Sequence, residues 1–484
     1  MLHERIGEEV ALVVDLDRTL ITGDVAIESM VHVAKRGFLA MLGLLWAMLH
    51  GRASVKTLLA RRSPVDAAIL LYRPEVLALI ADAKRQRRRV ILATAAHWRT
   101  AQRVARHLGI FDDVIASRAD RNIKGAAKLD AIRTMLGDAP FDYVGDAGAD
   151  RPIWRAARIA YTVDAATGVP QEERLAHPRS MARALIKAAR PHQWAKNALV
   201  FVPLASSGLI INGAASMRAL LAFAAMSLIA SSVYLFNDLL DIDADRLHAK
   251  KRHRPLANGA LPIPVAAVAT VGAATAGLTL AWALGVPTFS AMACYFGLTL
   301  AYSMRLKAAM IADVLTLACL YTIRIIAGAA AIAVPISSWL LLFSVFFFLS
   351  LGYLKRYVEL RTSARDDHEL LSGRGYTRSD TEIVAISGIA AGMVSILVLV
   401  LFAEAMGRGG AYATPQMLWL LPLPLLYWLN RVWMMGRRGQ VDSDPVAFAI
   451  TDPKSIAVGA VLGLILIAAK FAPLGGFLPQ LGVN

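Results

Sequence analysis

Long uncharged stretches fill the chain from about residue 190 onward, and they restrict the fold more than any other feature. Hydrophobic residues make up 57% of the 484 residues, and the mean hydropathy of +0.51 is too high for an ordinary soluble protein. A helix of about 20 apolar residues crosses a bilayer. The sequence therefore predicts an all-α polytopic membrane domain of nine transmembrane helices, centred near residues 205, 226, 274, 295, 321, 345, 391, 422 and 463.

Positive charge is concentrated in alternate connections between these segments. The formal net charge is +16, and the connections after the second, fourth, sixth and eighth segments contain KKRHR, MRLK, KRYVELR with SGRGYTR, and NRVWMMGRR. Because basic loops stay on the cytoplasmic side, we expect a multi-pass protein of the inner (plasma) membrane. Its N-terminal half and these loops would be cytoplasmic, with the C-terminus on the opposite face. The charge suits a lipid bilayer or a phosphate-rich substrate better than nucleic acid.

One charged segment stands out at the predicted cytoplasmic end of the second crossing, YLFNDLLDIDADRLHAKKRHRPLANG at residues 234–259. The spacing of Asn237, Asp238, Asp241 and Asp245 places the three carboxylates on one side of a helix, whereas Asp243 falls on another side. Crowded carboxylates repel one another unless a cation lies among them. Their oxygen ligands favour Mg²⁺, and the basic residues that follow favour a magnesium-bound diphosphate ester. The alternative is a solvated acidic helix end followed by a basic loop.

Several motifs in order resemble one protein family. NDLLDIDADRLHAKKRHRP is similar to the NDxxDxxxD motif of the UbiA superfamily of intramembrane transferases, with the HxxKRxRP extension of one branch. RPHQWAKN, AYSMRLK, LYTIRIIAG and LKRYVELR further resemble the decaprenyl-phosphate phosphoribosyltransferase branch, so that the resemblance covers roughly residues 184–484. It implies Mg²⁺-dependent transfer of 5-phosphoribosyl from phosphoribosyl pyrophosphate to a polyprenyl phosphate such as decaprenyl phosphate, with release of pyrophosphate.

The resemblance also suggests roles for individual residues. Asp238, Asp241 and Asp245 would be catalytic and, with Asn237, would hold the metal. Substrate binding is expected of Arg190, Lys196, His248, Lys251, Arg252, Arg254, Tyr302, Lys307, Arg324, Lys355, Arg356 and Glu359. For Lys355 and Arg356 the alternative role is anchoring at the cytoplasmic surface, and for Arg324 it is a structural pairing with Asp313 or another acid.

Two other functions are open. An aromatic prenyltransferase of the same superfamily, with a non-catalytic N-terminal domain, is the main alternative. Such enzymes carry a second motif, DxxxD, after the sixth crossing, but here that loop begins LKRYVELRTSARDDHEL and contains no DxxxD. A lipid-binding or transport protein is disfavoured by the paired acidic and basic motifs.

The N-terminal half carries a second set of motifs. EVALVVDLDRTLIT, RRRVILATAAHW, IKGAAKL and FDYVGDAGADRPIW together resemble haloacid-dehalogenase-like phosphatases. The resemblance implies an α/β Rossmann-like domain in which Asp15 is the nucleophile, Asp17 the acid/base, and Thr94 and Lys128 hold phosphate. Asp15, Asp17, Asp146 and Asp150 would surround Mg²⁺.

Arg18 departs from this family's usual small residue, so a non-catalytic domain remains an alternative. An active phosphatase could remove the 5-phosphate of the transfer product. We expect three regions: a phosphatase-like domain at 1–176 with a helical cap at about 24–87, a basic juxtamembrane linker helix at 177–196, and the intramembrane transferase domain at 197–484.

Overall fold

The computed structural model describes residues 10–35, 66–118, 122–163, 172–175, 180–363, 374–407, 412–441 and 444–472, together with five isolated positions, 43, 46, 55, 58 and 59. The chain forms two compact units. The first comprises Met1–Ala188 and Leu235–Ala269, and the second comprises Ala189–Tyr234 and Thr270–Asn484. The predicted boundaries near residues 176 and 197 stay predictions. Most of the predicted cap lies outside the described residues.

A parallel sheet organises the first unit. Its six strands lie in the order β3-β2-β1-β4-β5-β6. The strands are β1 Ala11–Val14, β2 Val90–His97, β3 Asp113–Ser117, β4 Phe141–Gly145, β5 Ala160–Thr162 and β6 Glu172–Arg174. All residues of β1 and β4 are buried, as expected for central strands covered on both faces. The chain passes from β1 to β2 on one side and to β4 on the other, and this reversal creates a crevice at the carboxyl ends of β1 and β4.

Helices complete the first unit. They are α1 Val25–Lys35, α2 Pro74–Arg85, α3 Trp98–Leu108, α4 Ala126–Leu136, α5 Arg151–Ala156 and α6 Met181–Ala189. The segment 235–269 belongs to the same unit, and its apolar residues pack on α6. Ala184 and Ala188 of α6 are buried against Leu235, Ile242 and Leu256. Part of the predicted linker helix is therefore a packed element.

The second unit is helical. The helices that follow α6 in the chain are α7 Val202–Ser207, α8 Gly213–Leu240, α9 Ile242–Leu247, α10 Ile263–Ala283, α11 Val286–Met304, α12 Ala312–Ala331, α13 Ser338–Ser363, α14 Thr381–Gly407, α15 Pro422–Arg437, α16 Pro445–Thr451 and α17 Pro453–Phe471. Of these, α9, the end of α8 and the start of α10 belong to the first unit. Within this unit α12 contacts α11 and α13, and a core forms where α13 meets α14 and α15.

In the part of the chain that the structure describes, six helices are long and apolar enough to cross a membrane, namely α8, α10, α12, α13, α14 and α17. The other three predicted crossings have different structures. Near residue 205 a tight 3₁₀ segment, Pro191–Phe201, precedes the short α7, and near residue 422 prolines separate Pro415–Leu420 from α15. Near residue 295, α11 has 19 residues but is not among these six helices. The count of nine crossings stays a prediction.

Close packing inside the second unit depends on a glycine of α12. A Cβ on Gly328 would lie 2.0 Å from the backbone oxygen of Val200, in the 3₁₀ segment. We therefore expect Gly328→Ala to destabilise the protein by about 1–3 kcal/mol through overpacking. Gly272→Ala on α10, where a Cβ meets nothing within 4 Å, is the control and should be neutral or slightly stabilising. Thermal unfolding in detergent, followed by tryptophan fluorescence, compares them; equal midpoints would contradict the packing argument.

Candidate active sites

The first site lies at the carboxyl edge of the sheet. Asp15 follows β1 and its Oδ1 accepts the Leu16 N–H at 2.8 Å, which begins a tight turn. Asp146 directly follows β4, and the completely buried Thr94 lies in β2. Since β1, β2 and β4 are adjacent and parallel, their carboxyl ends bring these side chains to one edge. The Thr94 hydroxyl accepts the N–H of Ala96 at 2.9 Å.

A buried lysine is held among the carboxylates. Lys128 of α4 places its Nζ 3.0 Å from Asp15 Oδ1 and 3.4 Å from Asp150 Oδ1. Tyr143 donates its hydroxyl to the same Asp150 oxygen at 3.0 Å. Burial alone lowers the pKa of Lys128, but the Asp15 and Asp150 carboxylates outweigh it, so that the pKa lies above its ordinary value. Lys128 is therefore a fixed cation beside Asp15, whereas Lys124 is exposed.

Three carboxylates form a candidate metal site. Among the described residues, Asp15, Asp146 and Asp150 are the one group of His, Cys, Asp or Glu in which ligand atoms of at least three residues lie within 4.8 Å of one another. Carboxylate oxygens are the ligands that Mg²⁺ prefers, so the donor set fits the predicted ion. Asp17 does not belong to this group; burial, reinforced by Asp24, raises the pKa of Asp17 to about 8. A carboxyl that keeps its proton at neutral pH suits a general acid.

Arg18 lies at the exposed edge of this site. Its backbone has a left-handed φ of 58°, and its side chain is 60% exposed. The Nε of Arg18 lies 3.3 Å from Asp146 Oδ2, and no contact between Arg18 and Asp15 is present among the described residues. Arg18 therefore adds positive charge to the rim of the crevice while Asp15 stays beside Lys128.

The aspartate segment, defined here as residues 237–259, forms the second site. The long helix α8 ends at Leu240, Asp241 adopts a turn conformation, and α9 begins at Ile242. Backbone hydrogen bonds nevertheless continue across the turn, from the Asp241 N–H to the Asn237 oxygen at 2.9 Å and from the Asp245 N–H to the Asp241 oxygen at 2.8 Å. The helical register assumed from the sequence is thus nearly kept.

Arg254 lies between two of the predicted metal ligands. Its Nη1 is 3.2 Å from Asp238 Oδ1 and 2.6 Å from Asp245 Oδ2, and both aspartates are 2% exposed. The second oxygen of Asp245 is buried without a hydrogen-bond partner among the described residues. Two buried carboxylates with one guanidinium leave a net negative charge that fits a divalent cation. Among the described residues Asp241 is not part of a close three-carboxylate group, and His248, Lys251 and Arg252 are exposed.

Two predicted substrate cations of the second unit are buried. Arg324 is 6% exposed, and its guanidinium donates to Asn197 Oδ1 at 3.0 Å and to the Tyr295 hydroxyl at 2.9 Å. Arg356 is completely buried between Asp313, at 2.8 Å, and Glu359. Arg356 therefore has the structural pairing with Asp313 that was the alternative for Arg324, and its complete burial does not fit anchoring at the cytoplasmic surface.

Two functional candidates escaped the sequence patterns. Asp444 accepts a hydrogen bond from Lys196 and interacts electrostatically with Lys355, so that one carboxylate serves two lysines. Its Oδ1 also accepts the Ala447 N–H at 3.3 Å, and the Asp-Pro pair at the start of α16 signals a helix cap rather than a binding site. The second candidate is Arg374, which donates to the Tyr302 hydroxyl at 2.9 Å and to the Lys307 carbonyl oxygen at 3.3 Å.

Among the predicted substrate-binding residues, Arg190 lies over the Tyr234 ring, 5.0 Å from its centroid.

Comparison with known families decides the classification. The model of the UbiA prenyltransferase family matches residues 199–451. The chain belongs to this family. The model of haloacid dehalogenase-like hydrolases matches residues 12–155, so both resemblances found in the sequence are confirmed. The six apolar helices found among the described residues, together with membership of the UbiA family, indicate a multi-pass membrane protein.

Several relatives of this UbiA-family chain are informative. An uncharacterised Sinorhizobium fredii protein, y4nM, is 33% identical over 470 residues, which cover 95% of this chain and 90% of that protein. The nodulation protein NoeC of Azorhizobium caulinodans is 34% identical over 58% of this chain and 92% of its own length. The decaprenyl-phosphate phosphoribosyltransferase of Mycolicibacterium smegmatis is 38% identical over 192 residues, 39% of this chain and 60% of that enzyme. A solved UbiA homologue from Archaeoglobus fulgidus, bound to GPP and Mg²⁺, gives a TM-score of 0.46 at 16% identity over 59% of this chain and 98% of its own.

The acidic group of the N-terminal domain should bind a divalent cation. We expect Asp146→Asn to lose one class of Mn²⁺ site, or to weaken it about tenfold or more, because it removes one of three carboxylates around the ion. Asp130→Asn, at an exposed position on α4, is the matched control. Titration of the purified protein with Mn²⁺, followed by electron paramagnetic resonance, measures the free ion. Identical isotherms for the two variants would exclude this metal site.

Proposed function

We propose that this UbiA-family protein transfers 5-phosphoribosyl from phosphoribosyl pyrophosphate to a polyprenyl phosphate such as decaprenyl phosphate. The observation that carries the proposal is the pairing of Asp238 and Asp245 around Arg254. Both carboxylates are buried, and together they exceed the charge of their guanidinium. This arrangement supports binding of a diphosphate through Mg²⁺, which would neutralise the leaving group.

The residues of the second unit support a phosphate acceptor. Lys196 donates a hydrogen bond to Asp444, and Lys355 interacts electrostatically with both Asp444 and Glu359, so that two lysines lie close together in this unit. The described part of α13 contains no DxxxD motif. Lys355 lies in the region where aromatic prenyltransferases carry that motif. The 192-residue match to enzymes named decaprenyl-phosphate phosphoribosyltransferase supports the same substrate class.

The proposed transfer exchanges one bond at the anomeric carbon of ribose. The bond from this carbon to the pyrophosphate oxygen breaks, and a bond to an oxygen of the lipid phosphate forms, so that no further reactant is needed. Arg254 contributes positive charge on the side of the leaving pyrophosphate. The lysines beside Asp444 suit the lipid phosphate, because a phosphate can take the place of a carboxylate as their partner.

For the N-terminal domain we propose removal of the 5-phosphate from the transfer product. Asp15 would attack phosphorus, and Asp17 would protonate the departing ribose oxygen, consistent with its raised pKa. Water would then release phosphate from Asp15, with Asp17 acting as base. Lys128 would neutralise the phosphoryl oxygens from its position 3.0 Å from Asp15. The lipid product stays in the membrane to which the domain is tethered, which raises its effective concentration.

The transfer reaction generates the first functional prediction. We expect Asp238→Asn to reduce pyrophosphate release on the order of a hundredfold or more, because it removes an anionic ligand from the diphosphate site. The purified protein in lipid nanodiscs is supplied with Mg²⁺, phosphoribosyl pyrophosphate and decaprenyl phosphate, and the lipid product is identified by mass. Asp130→Asn should behave as wild type. Prenylation of 4-hydroxybenzoate from a prenyl diphosphate, in place of ribosylated lipid, would establish the aromatic prenyltransferase instead.

The phosphatase step generates the second functional prediction. Wild-type protein should form polyprenyl-phosphoribose without the 5-phosphate, whereas Asp15→Asn should accumulate the phosphorylated lipid at an unchanged rate of pyrophosphate release. The reason is that Asp15 supplies the nucleophile of the second step alone. Lipid mass spectrometry distinguishes the two products by one phosphate. The same phosphorylated lipid from both proteins would show that the N-terminal domain is inactive or acts on another metabolite.

A further inference from the structure

A short stretch of the N-terminal domain contacts the aspartate segment. This stretch, residues 22–35, comes five residues after Asp17 and contains α1. It belongs to the same compact unit as the aspartate segment. The contacts are ionic at α9 and steric near Gly259.

The strongest contact is a buried ion pair. Arg246 of α9 donates from Nη1 to Glu28 Oε2 at 3.0 Å and from Nη2 to Glu28 Oε1 at 2.9 Å. The two side chains are only 6% and 5% exposed. Arg246 Nε has no hydrogen-bond partner among the described residues, so Glu28 supplies the compensation for this buried charge. Removing one partner of such a pair is far more costly than breaking a surface pair.

Two further contacts surround this pair. Asp243 of α9 accepts hydrogen bonds from His32 Nε2 at 2.8 Å and Lys35 Nζ at 2.7 Å. A Cβ on Gly259, whose φ is +73°, would lie 2.4 Å from Thr22 Oγ1, so the end of the aspartate segment lies directly on the N-terminal domain. The contacts therefore extend along both α9 and the loop that follows it.

The position of α9 determines the position of a proposed ligand. Asp245 lies within α9, next to Arg246, and its carboxylate reaches Arg254 on the other side. The helix that contacts α9, α1, is capped at its N-terminus. There Asp17 Oδ1 accepts the Val25 N–H at 2.8 Å, and Asp24 Oδ1 accepts the Ala26 N–H at 2.9 Å. A capped helix of the N-terminal domain thus contacts the element that carries one end of the proposed diphosphate site.

We infer that Glu28 is a positioning residue for the transferase centre. Its carboxylate fixes α9 through Arg246, and α9 holds Asp245 against Arg254 and Asp238. The inference rests on the proposed transfer function, and it gives the N-terminal domain a role in transfer that does not depend on phosphatase chemistry. Without the Glu28 carboxylate, Arg246 needs water as a partner, and α9 must move to reach it.

The test measures the local stability of the aspartate segment. In the full-length protein, Glu28→Gln should speed amide hydrogen exchange in residues 241–259 about tenfold or more, because the free energy of local unfolding in this segment falls. The affinity for inorganic pyrophosphate with Mg²⁺ should fall about tenfold in isothermal titration, since Asp245 is misplaced. Glu75→Gln, at an exposed position in the first turn of α2, is the matched control and should change neither quantity.

A double variant separates positioning from general loss of folding. Glu28→Leu with Arg246→Met replaces the buried pair by apolar side chains of similar size, which leaves no unpaired charge and usually preserves stability. It should return exchange in 241–259 and pyrophosphate affinity to within about threefold of wild type, because packing alone then holds α9. Gly23→Ala provides an independent perturbation, since its Cβ would lie 2.4 Å from Glu28 Oε1, and should act like Glu28→Gln in a weaker form.

Two results would overturn the inference. One is Glu28→Gln with unchanged exchange in 241–259 and unchanged pyrophosphate affinity. The other is exchange that rises equally in the strands β1 and β4, which would make Glu28 a residue of general stability only. Because neither measurement uses the organic substrates, a failure to form polyprenyl-phosphoribose would count against the transfer reaction and not against this role of Glu28.

Discussion

A shared arrangement of buried charge organises both units: one cation lies between two carboxylates. Lys128 lies between Asp15 and Asp150, Arg254 between Asp238 and Asp245, and Arg356 between Asp313 and Glu359. Removing a single charge from water costs several kcal/mol, so each group needs its partners in order to fold. The first two sets keep one negative charge more than their cation compensates, which a further cation can neutralise, whereas in the third set Glu359 also interacts electrostatically with Lys355. In the Arg356 set the cation is completely enclosed, and the set serves the helix core.

Asp444 shows the reverse arrangement, one carboxylate between two lysines. Glu359 also interacts electrostatically with Lys355, so the two lysines face two carboxylates, and Asp444 in addition caps α16. The two candidate metal sites thus carry a local negative surplus although the whole chain has a formal net charge of +16.

The sequence predicts those features that depend on local spacing. The NDxxDxxxD register placed Asp238 and Asp245 on one side and Asp243 on another, and the structure shows separate partners for Asp243. The positions of Asp15 and Asp146 directly after apolar strands were likewise predicted from the local sequence. Long-range pairing was not predictable: Asp313 was named as an alternative partner of Arg324, yet it pairs with Arg356, which was expected in a cytoplasmic loop. Asp444 was not predicted as a functional residue, because an Asp-Pro pair at the start of a helix is fully explained as a helix cap. The helix breaks near 205 and 422 were not predictable from hydropathy, because a hydropathy average does not register the interruption of helices by proline.

The double use of Asp17 has an evolutionary consequence. Its carboxylate is the proposed acid and also accepts the first N–H of α1, the helix that carries Glu28. An asparagine keeps an acceptor oxygen in the same place, whereas an alanine leaves the N–H without its partner. A lineage that abandoned phosphate chemistry could therefore pass through Asn at this position without disturbing α1, but not easily through Ala. The catalytic acid can therefore be lost only to a residue that still accepts the Val25 N–H. Phosphatase activity can disappear in this way while selection still maintains the position of α1.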